Sequence, residues 1–160
     1  MVCKIAIADY QDSQQGQDII FLLDRYALDP AGGGQGLSDR VKENLIAELA
    51  KLPFALTLLA YVDHQPAGLA NCFTVFSTFK CQPVVNIHDF AVLKEYRQQG
   101  ISQLLLNKVE EIAKEKNACK ITLEVLEHNT PARKAYAKFG FVGYELDPTY
   151  GNAIFLEKVL

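Results

Sequence analysis

The sequence predicts a single α/β domain of the α+β kind, a central mixed sheet of about six to seven strands flanked by about four helices. Three observations carry that expectation. A chain of 160 residues, 49% of them hydrophobic, is long enough to bury a real core in one domain. Its apolar residues fall into period-two runs that alternate with helical-period segments, in the order β-α-α-β-β-β-α-β-α-β-β. No internal repeat and no linker divides the chain, so residues 1–160 read as one domain.

The elements follow in order. Residues 2–8, "VCKIAIA", alternate as a short strand does. The segment 17–29 has apolar residues at 19, 20, 22, 23 and 26, a helical spacing that Pro30 ends. "AGGGQG", residues 31–36, reads as a mobile loop. It is not a Walker loop, because Leu37-Ser38 follows where Lys-Ser or Lys-Thr is needed. It is not a dinucleotide turn either, because a helix and Pro30 precede it rather than a strand. Ser38 is placed to cap a second helix over 39–52, with Val41, Leu45, Ile46 and Leu49 on one face.

Residues 54–62 and 69–79 read as two strands of a hairpin joined by "DHQPAG", and 83–93 as a further strand. The segment 101–116 sets Ile101, Leu105, Val109 and Ile112 on one helical face, with lysines toward its end. In "CKITLEV", residues 119–125, Cys119, Ile121, Leu123 and Val125 alternate with polar residues. The best-marked helix is "NTPARKAYAKFG", with Thr130 as N-cap, Pro131 at the first helical position and Gly140 just past the end. Two closing strands are expected over 141–146 and 153–159.

Composition narrows the function. The net charge of −3 and the lack of any run of like charge disfavour nucleic acid as a partner. No segment has the length and apolarity of a signal peptide or membrane span. Cys3, Cys72, Cys81 and Cys119 form no C-x-x-C pair and no zinc spacing, which points to reduced thiols in a cytoplasmic protein without a metal site.

Three places carry chemistry. At "YRQQGISQ" a strand region turns through one glycine directly into a helix. The amides of Gln98, Gln99, Gly100, Ile101 and Ser102 can there converge on an anion, with the charge of Arg97 beside them. An ordinary βα turn fits the same residues. In "NIHDFAV", His88 and Asp89 stand inside an otherwise apolar strand, which a titratable pair does not enter without a reason. Neighbouring strand residues point to opposite faces, so the pair reaches one site only through a bulge. Tyr136 lies within the last helix, where packing alone also accounts for it. His64 and His128 fall in polar turns.

Two blocks together resemble the GNAT superfamily of acyl-CoA-dependent N-acetyltransferases. One is Arg97-Gln98-Gln99-Gly100-Ile101-Ser102, similar to that family's phosphate signature, with Ser102 where Gly or Ala is preferred. The other is "NTPARKAYAKFGF", similar to its stretch from Asn through a helical tyrosine to Gly-Phe. The resemblance implies the GNAT fold and acetyl-CoA as co-substrate. Phe90, Ala91 and Val92 would offer backbone groups to the pantetheine arm, and the amides from Gln98 to Ser102 would hold the pyrophosphate. Asn129 would contact the pantetheine, and Tyr136 would return a proton to the leaving thiolate.

The implied chemistry is direct attack of a primary amine on the acetyl thioester in a ternary complex. Histidine, a residue type that titrates near neutrality, suits His88 to the role of base. Asp89 then attracts the ammonium or orients His88. "IHDFAV" is also similar to an acidic strand of diamine and polyamine acetyltransferases, but His88 replaces the first acid. The acceptor therefore ranges over small amines, amino acids, aminoglycosides and protein amines, with Asp39 and Glu43 as further candidates for its pocket. The resemblance is also to cytoplasmic enzymes that can pair as homodimers. Two other readings stay open: a non-catalytic acyl-CoA-binding sensor, and an interaction module on the same fold.

Overall fold

The computed structural model describes residues 2–145 and 147–160. Its sheet holds five strands side by side in chain order: β1 (Cys3–Ile7), β2 (Ala55–Val62), β3 (Gln65–Ser77), β4 (Gln82–Val92) and β5 (Lys120–Leu123). The first four pair antiparallel, and β5 lies parallel to β4. The mixed sheet is the expected one. Among the described residues it has five strands rather than six to seven.

Four helices cover the two faces: α1 (Ser13–Leu28), α2 (Asp39–Ala50), α3 (Ile101–Glu115) and α4 (Thr130–Phe139). On one face Ile19, Leu22 and Leu23 of α1 pack with Leu59 and Leu69 of the sheet. On the other, the expected stripe Ile101, Leu105, Val109 and Ile112 of α3 packs with Leu58, Ala60, Ala70, Val85 and Ile87. Each such side chain, removed from water, contributes about 1.5–3 kcal/mol. The helix α3 is the crossover that carries the chain from β4 to its parallel neighbour β5, as a parallel pair requires.

Three boundaries differ from the sequence expectation. Asp12 starts α1 at Ser13 rather than near 17, because its Oδ1 accepts from the Gln14 and Gln15 amides at 2.9 and 3.2 Å. Asp63 and His64, both with positive φ, complete the hairpin turn, so β3 begins at Gln65. Asn129, not Thr130, caps α4, its Oδ1 accepting from the Ala132 amide at 3.3 Å.

The two closing strands are absent among the described residues, and Leu146 of the first lies outside those residues. Over 141–160 the sheet-like structure is one isolated bridge, Glu145 to Asn152, around a short turn at Pro148–Tyr150. Alternating apolar residues make a strand only when packing and a ladder receive them. Here Val142, Ile154, Phe155 and Leu156 stay exposed.

Candidate active site

The strand β4 divides into two halves. Val84–Ile87 pair with β5 on one side and β3 on the other. Pairing to β5 then stops at Ile87–Leu123, while pairing to β3 continues to Val92. A gap opens beside residues 88–92. The Leu93 amide donates to the Ala67 carbonyl at 2.8 Å. Antiparallel ladders alternate, so Leu93, Ala91 and Asp89 bond toward β3, whereas Phe90 and Val92 turn their backbone groups into the gap. Ala91, expected to offer backbone groups to a ligand there, spends them on β3. The Val92 carbonyl is taken by Arg97 Nε at 3.0 Å. Phe90, with both its backbone groups, and the Val92 amide remain to line the opening.

The glycine junction stands at the end of this gap. Gln98 has φ 63° and Gly100 φ 82°, both left-handed. Two such residues fold the chain back tightly enough to start α3 directly at Ile101. A Cβ on Gly100 would meet nothing within 4 Å, so glycine is required by the backbone angle and not by space. Asp12, Ser38 and Asn129 supply side-chain caps to α1, α2 and α4, while α3 has none. Its first amides, Ile101 and Ser102 among them, face outward at the positive end of the helix dipole.

Arg97 at this junction is not a loose cation. Its Nη2 pairs with Asp29 Oδ2 at 3.0 Å. Asp29 also accepts from the Ala31 amide at 3.0 Å, and these donors, Ala31 first, hold its carboxyl below the usual range. Gly32 and Gly34 donate to the Asp29 carbonyl, and the Leu37 amide donates to Asp24 Oδ1 at 2.8 Å. The glycine loop is thus tied down at both ends, and through Asp29 it is joined to the α3 junction.

The pair at 88–89 sits on a bulge. Ile87 pairs with Cys72 and Asp89 with the next residue, Asn71, leaving His88 as the extra residue of β4. The bulge brings both side chains over one face. His88 meets the Phe73 ring edge-on at 5.4 Å between centroids, and Asp89 Oδ2 accepts from Asn71 Nδ2 at 3.0 Å. Asn71 and Phe73 are two residues apart on one strand and share a face. The geometric objection to a His-Asp pair is thereby removed. His88 is exposed, as a group that meets a diffusing acceptor must be.

Behind Asp89 runs a polar chain. Thr57 Oγ1 donates to Asn71 Oδ1 at 2.6 Å, and Tyr10 OH lies 2.9 Å from Thr57 Oγ1. Thr57 and Asn71 are buried, at 1% and 4% exposure.

Across the gap, Tyr136 is 8% exposed, its ring edge-on to Phe90 and to Phe141 at 5.8 Å each. Its hydroxyl bonds to no protein group among the described residues. Burial, and then the neighbouring Tyr26, push its ionisation up to about 12. Burial raises Tyr26 as well, followed by the negative charges of Asp89 and Asp29. Tyr26 lies near the end of α1.

Of the residues that sequence reasoning singled out, Phe90 and Val92 line this gap and Tyr136 packs against Phe90, while Asn129 Oδ1 is engaged in capping α4. Asp39 and Glu43 lie exposed on α2, and among the described residues neither is hydrogen-bonded to His88 or Asp89. Sequence reasoning missed Tyr10, Tyr26, Thr57 and Asn71. Polar Thr57 and Asn71 within apolar strands were the available signal. Tyr26 was hidden inside an apolar helical pattern.

Comparison with known proteins identifies the family and the fold. Residues 25–141 match the acetyltransferase (GNAT) family. A bovine thialysine N-epsilon-acetyltransferase is 32% identical over 116 residues, 65% of this chain and 68% of that protein. A Bacillus subtilis protein, provisionally named a ribosomal protein bS18-alanine N-acetyltransferase, is 32% identical over 99 residues, 62% of either chain. The chain thus spans under two thirds of the length of that relative. Among solved structures, an aminoglycoside acetyltransferase from an uncultured soil metagenomic sample, in complex with trehalose, superposes with a TM-score of 0.80 at 16% identity, covering 99% of this chain and 96% of its own. The AAC(6')-Iy structure, in complex with the bisubstrate analogue CoA-S-monomethyl-acetylneamine, gives 0.77 at 20% identity with full coverage of both chains. At these identities the structures speak for the fold.

Proposed function

The chain belongs to the acetyltransferase (GNAT) family, and from that premise we propose that it transfers an acetyl group from acetyl-CoA to a primary amine by direct attack. The observation that carries this reading is the open half of β4 beside the start of α3, which among the described α-helices is the one without a side-chain cap. The outward amides of α3 suit a pyrophosphate. Phe90 and Val92 suit an extended amide-bearing arm that adds to the sheet like a strand.

In this reading the amine gives its extra proton to His88, and its nitrogen attacks the thioester carbonyl carbon. The C–N bond forms, the C–S bond breaks and the thiolate leaves, and the second proton of the attacking nitrogen replaces the one that Tyr136 gives to the sulfur. Asp89 holds the ammonium before deprotonation. Tyr136 faces the departing sulfur. With its own ionisation near 12 it keeps its proton at neutral pH, so it donates a hydrogen bond to the sulfur and restores the proton as the thiol forms. Positioning by the gap supplies much of the remaining rate. The acceptor class follows the relatives' names: an amino-acid side-chain amine, an aminoglycoside or a protein amine. The reading also places the protein in the cytoplasm, able to pair as a homodimer, which sedimentation tests.

Calorimetric titration with acetyl-CoA comes first, then thiol release with lysine, S-aminoethyl-cysteine, sisomicin and a peptide with N-terminal alanine. Micromolar binding is expected, lost in Gly100→Pro, because proline cannot adopt a φ near 82°. Circular dichroism checks that this variant is folded. Binding without release for any amine favours an acyl-CoA sensor, and no binding removes the reading.

A further inference from the structure

The chain Tyr10–Thr57–Asn71–Asp89 runs from the turn after β1 across the three neighbouring strands β2, β3 and β4, and it has a direction. A carboxylate oxygen can only accept, so Asn71 turns its NH2 toward Asp89 and its Oδ1 toward Thr57. Thr57 has one hydroxyl hydrogen and gives it to Asn71 Oδ1 at 2.6 Å. Tyr10 must therefore be the donor in its 2.9 Å contact with Thr57. Every donor in the chain points at Asp89. Such an array polarises link by link. It also takes up Asp89 Oδ2, so the remaining oxygen, Oδ1, has no protein partner among the described residues. The last link spans the bulge that brings His88 onto the same face.

Buried polar side chains in a sheet core weaken it unless something requires them, and apolar residues of similar shape would fill the places of Thr57 and Asn71. We propose that Thr57 and Asn71 are positioning residues that fix the Asp89 carboxylate and hold one of its oxygens toward the ammonium of the acceptor. The inference rests on the reading above, in which Asp89 meets the amine. It assigns to the acceptor a cationic primary amine recognised as the ammonium. It also gives the polar chain a part in acceptor binding and none in acetyl-CoA binding.

The test is steady-state thiol release with the best amine of the four-member panel, together with calorimetric acetyl-CoA affinity. Thr57→Val keeps the shape and removes the hydroxyl. It is expected to raise KM for the amine about 2- to 10-fold, the worth of one lost hydrogen bond, with kcat and acetyl-CoA affinity unchanged. Thr57→Ser restores the hydroxyl and is expected to restore KM. Asp89→Asn gives the upper limit, a larger rise in KM. A Thr57→Val enzyme with normal KM, beside an impaired Asp89→Asn, overturns the positioning role and leaves the proposed function standing. So does a Thr57→Ser enzyme as impaired as Thr57→Val, or a loss of acetyl-CoA affinity and KM together, which marks a merely structural part. An Asp89→Asn enzyme with unchanged KM, or no turnover of any amine, overturns the reading of Asp89 and this inference with it.

Discussion

The two halves of β4 are made from similar residues and do different things. Val84, Val85 and Ile87 are buried between two partner strands. Phe90 and Val92 have one partner strand and are half exposed. The bulge at His88 separates them. A strand flanked on both sides spends its backbone groups on the fold. One flanked on a single side keeps every second N–H and C=O for something else. The first half ought to fail by unfolding and the second by losing its ligand.

The largest effect expected is in the closed half. Ile87→Ala removes a side chain at 3% exposure from the α3 face and costs about 2–5 kcal/mol. Urea denaturation measures it. The folded fraction should bind acetyl-CoA as the wild type does. A loss of affinity larger than the loss of stability would erase the distinction between the halves.

Tyr136→Phe works on the open half. It keeps the ring between Phe90 and Phe141 and removes the hydroxyl. Thiol release should fall about 10²-fold, in the range of general acid or base catalysis, while acetyl-CoA affinity stays within about twofold because the ring and backbone groups remain. A proportionate fall in affinity would make Tyr136 a binding residue.

Amide hydrogen exchange sharpens the comparison residue by residue. The Ala91 amide, in the β3 ladder, should be protected in the free protein. The Phe90 and Val92 amides should exchange fast and slow at least about tenfold when acetyl-CoA is added. Fast exchange at Ala91, or no change at Phe90 and Val92, would mean that the alternation has been assigned to the wrong residues.

What was legible in the sequence follows from how local each feature is. The α3 junction is a contiguous run, Arg97 to Ser102, and its one glycine marks the left-handed turn. The caps at Ser38 and the glycine at Gly140 are local for the same reason. The bulge depends on the register of two strands and was visible only as an anomaly, a His-Asp pair where one polar residue would have been expected. Asn71 and Thr57 are 14 residues apart in the chain, and Thr57 meets Tyr10 from 47 residues away. Nothing local announces that contact. The closing strands failed for the opposite reason. Their alternation is real, but alternation states only that a segment is able to join a sheet.

The smallest effect lies at the seam of the two halves. Cys72 pairs with Ile87, the last residue of the closed half, and Asp89 lies just beyond. Burial, and then the Asp89 charge, push its thiol up to about 12 from an ordinary value near 9. A raised folded-state value means that the native protein holds the proton more tightly than the unfolded chain. Stability from this group is therefore complete below about pH 9 and is lost as pH rises toward 12. By pH 10 the loss is about 1.4 kcal/mol, one pH unit past the unfolded thiol. Buried tyrosines, Tyr136 among them, add to the decline only above about pH 10. Urea denaturation at pH 8, 9, 9.5 and 10, for wild type and Cys72→Ala, isolates the thiol. The variant starts lower because of the atom it has lost, but its stability should stay flat where the wild type falls. Parallel curves would mean that water reaches Cys72, and that the seam beside Asp89 is as open as the second half of the strand.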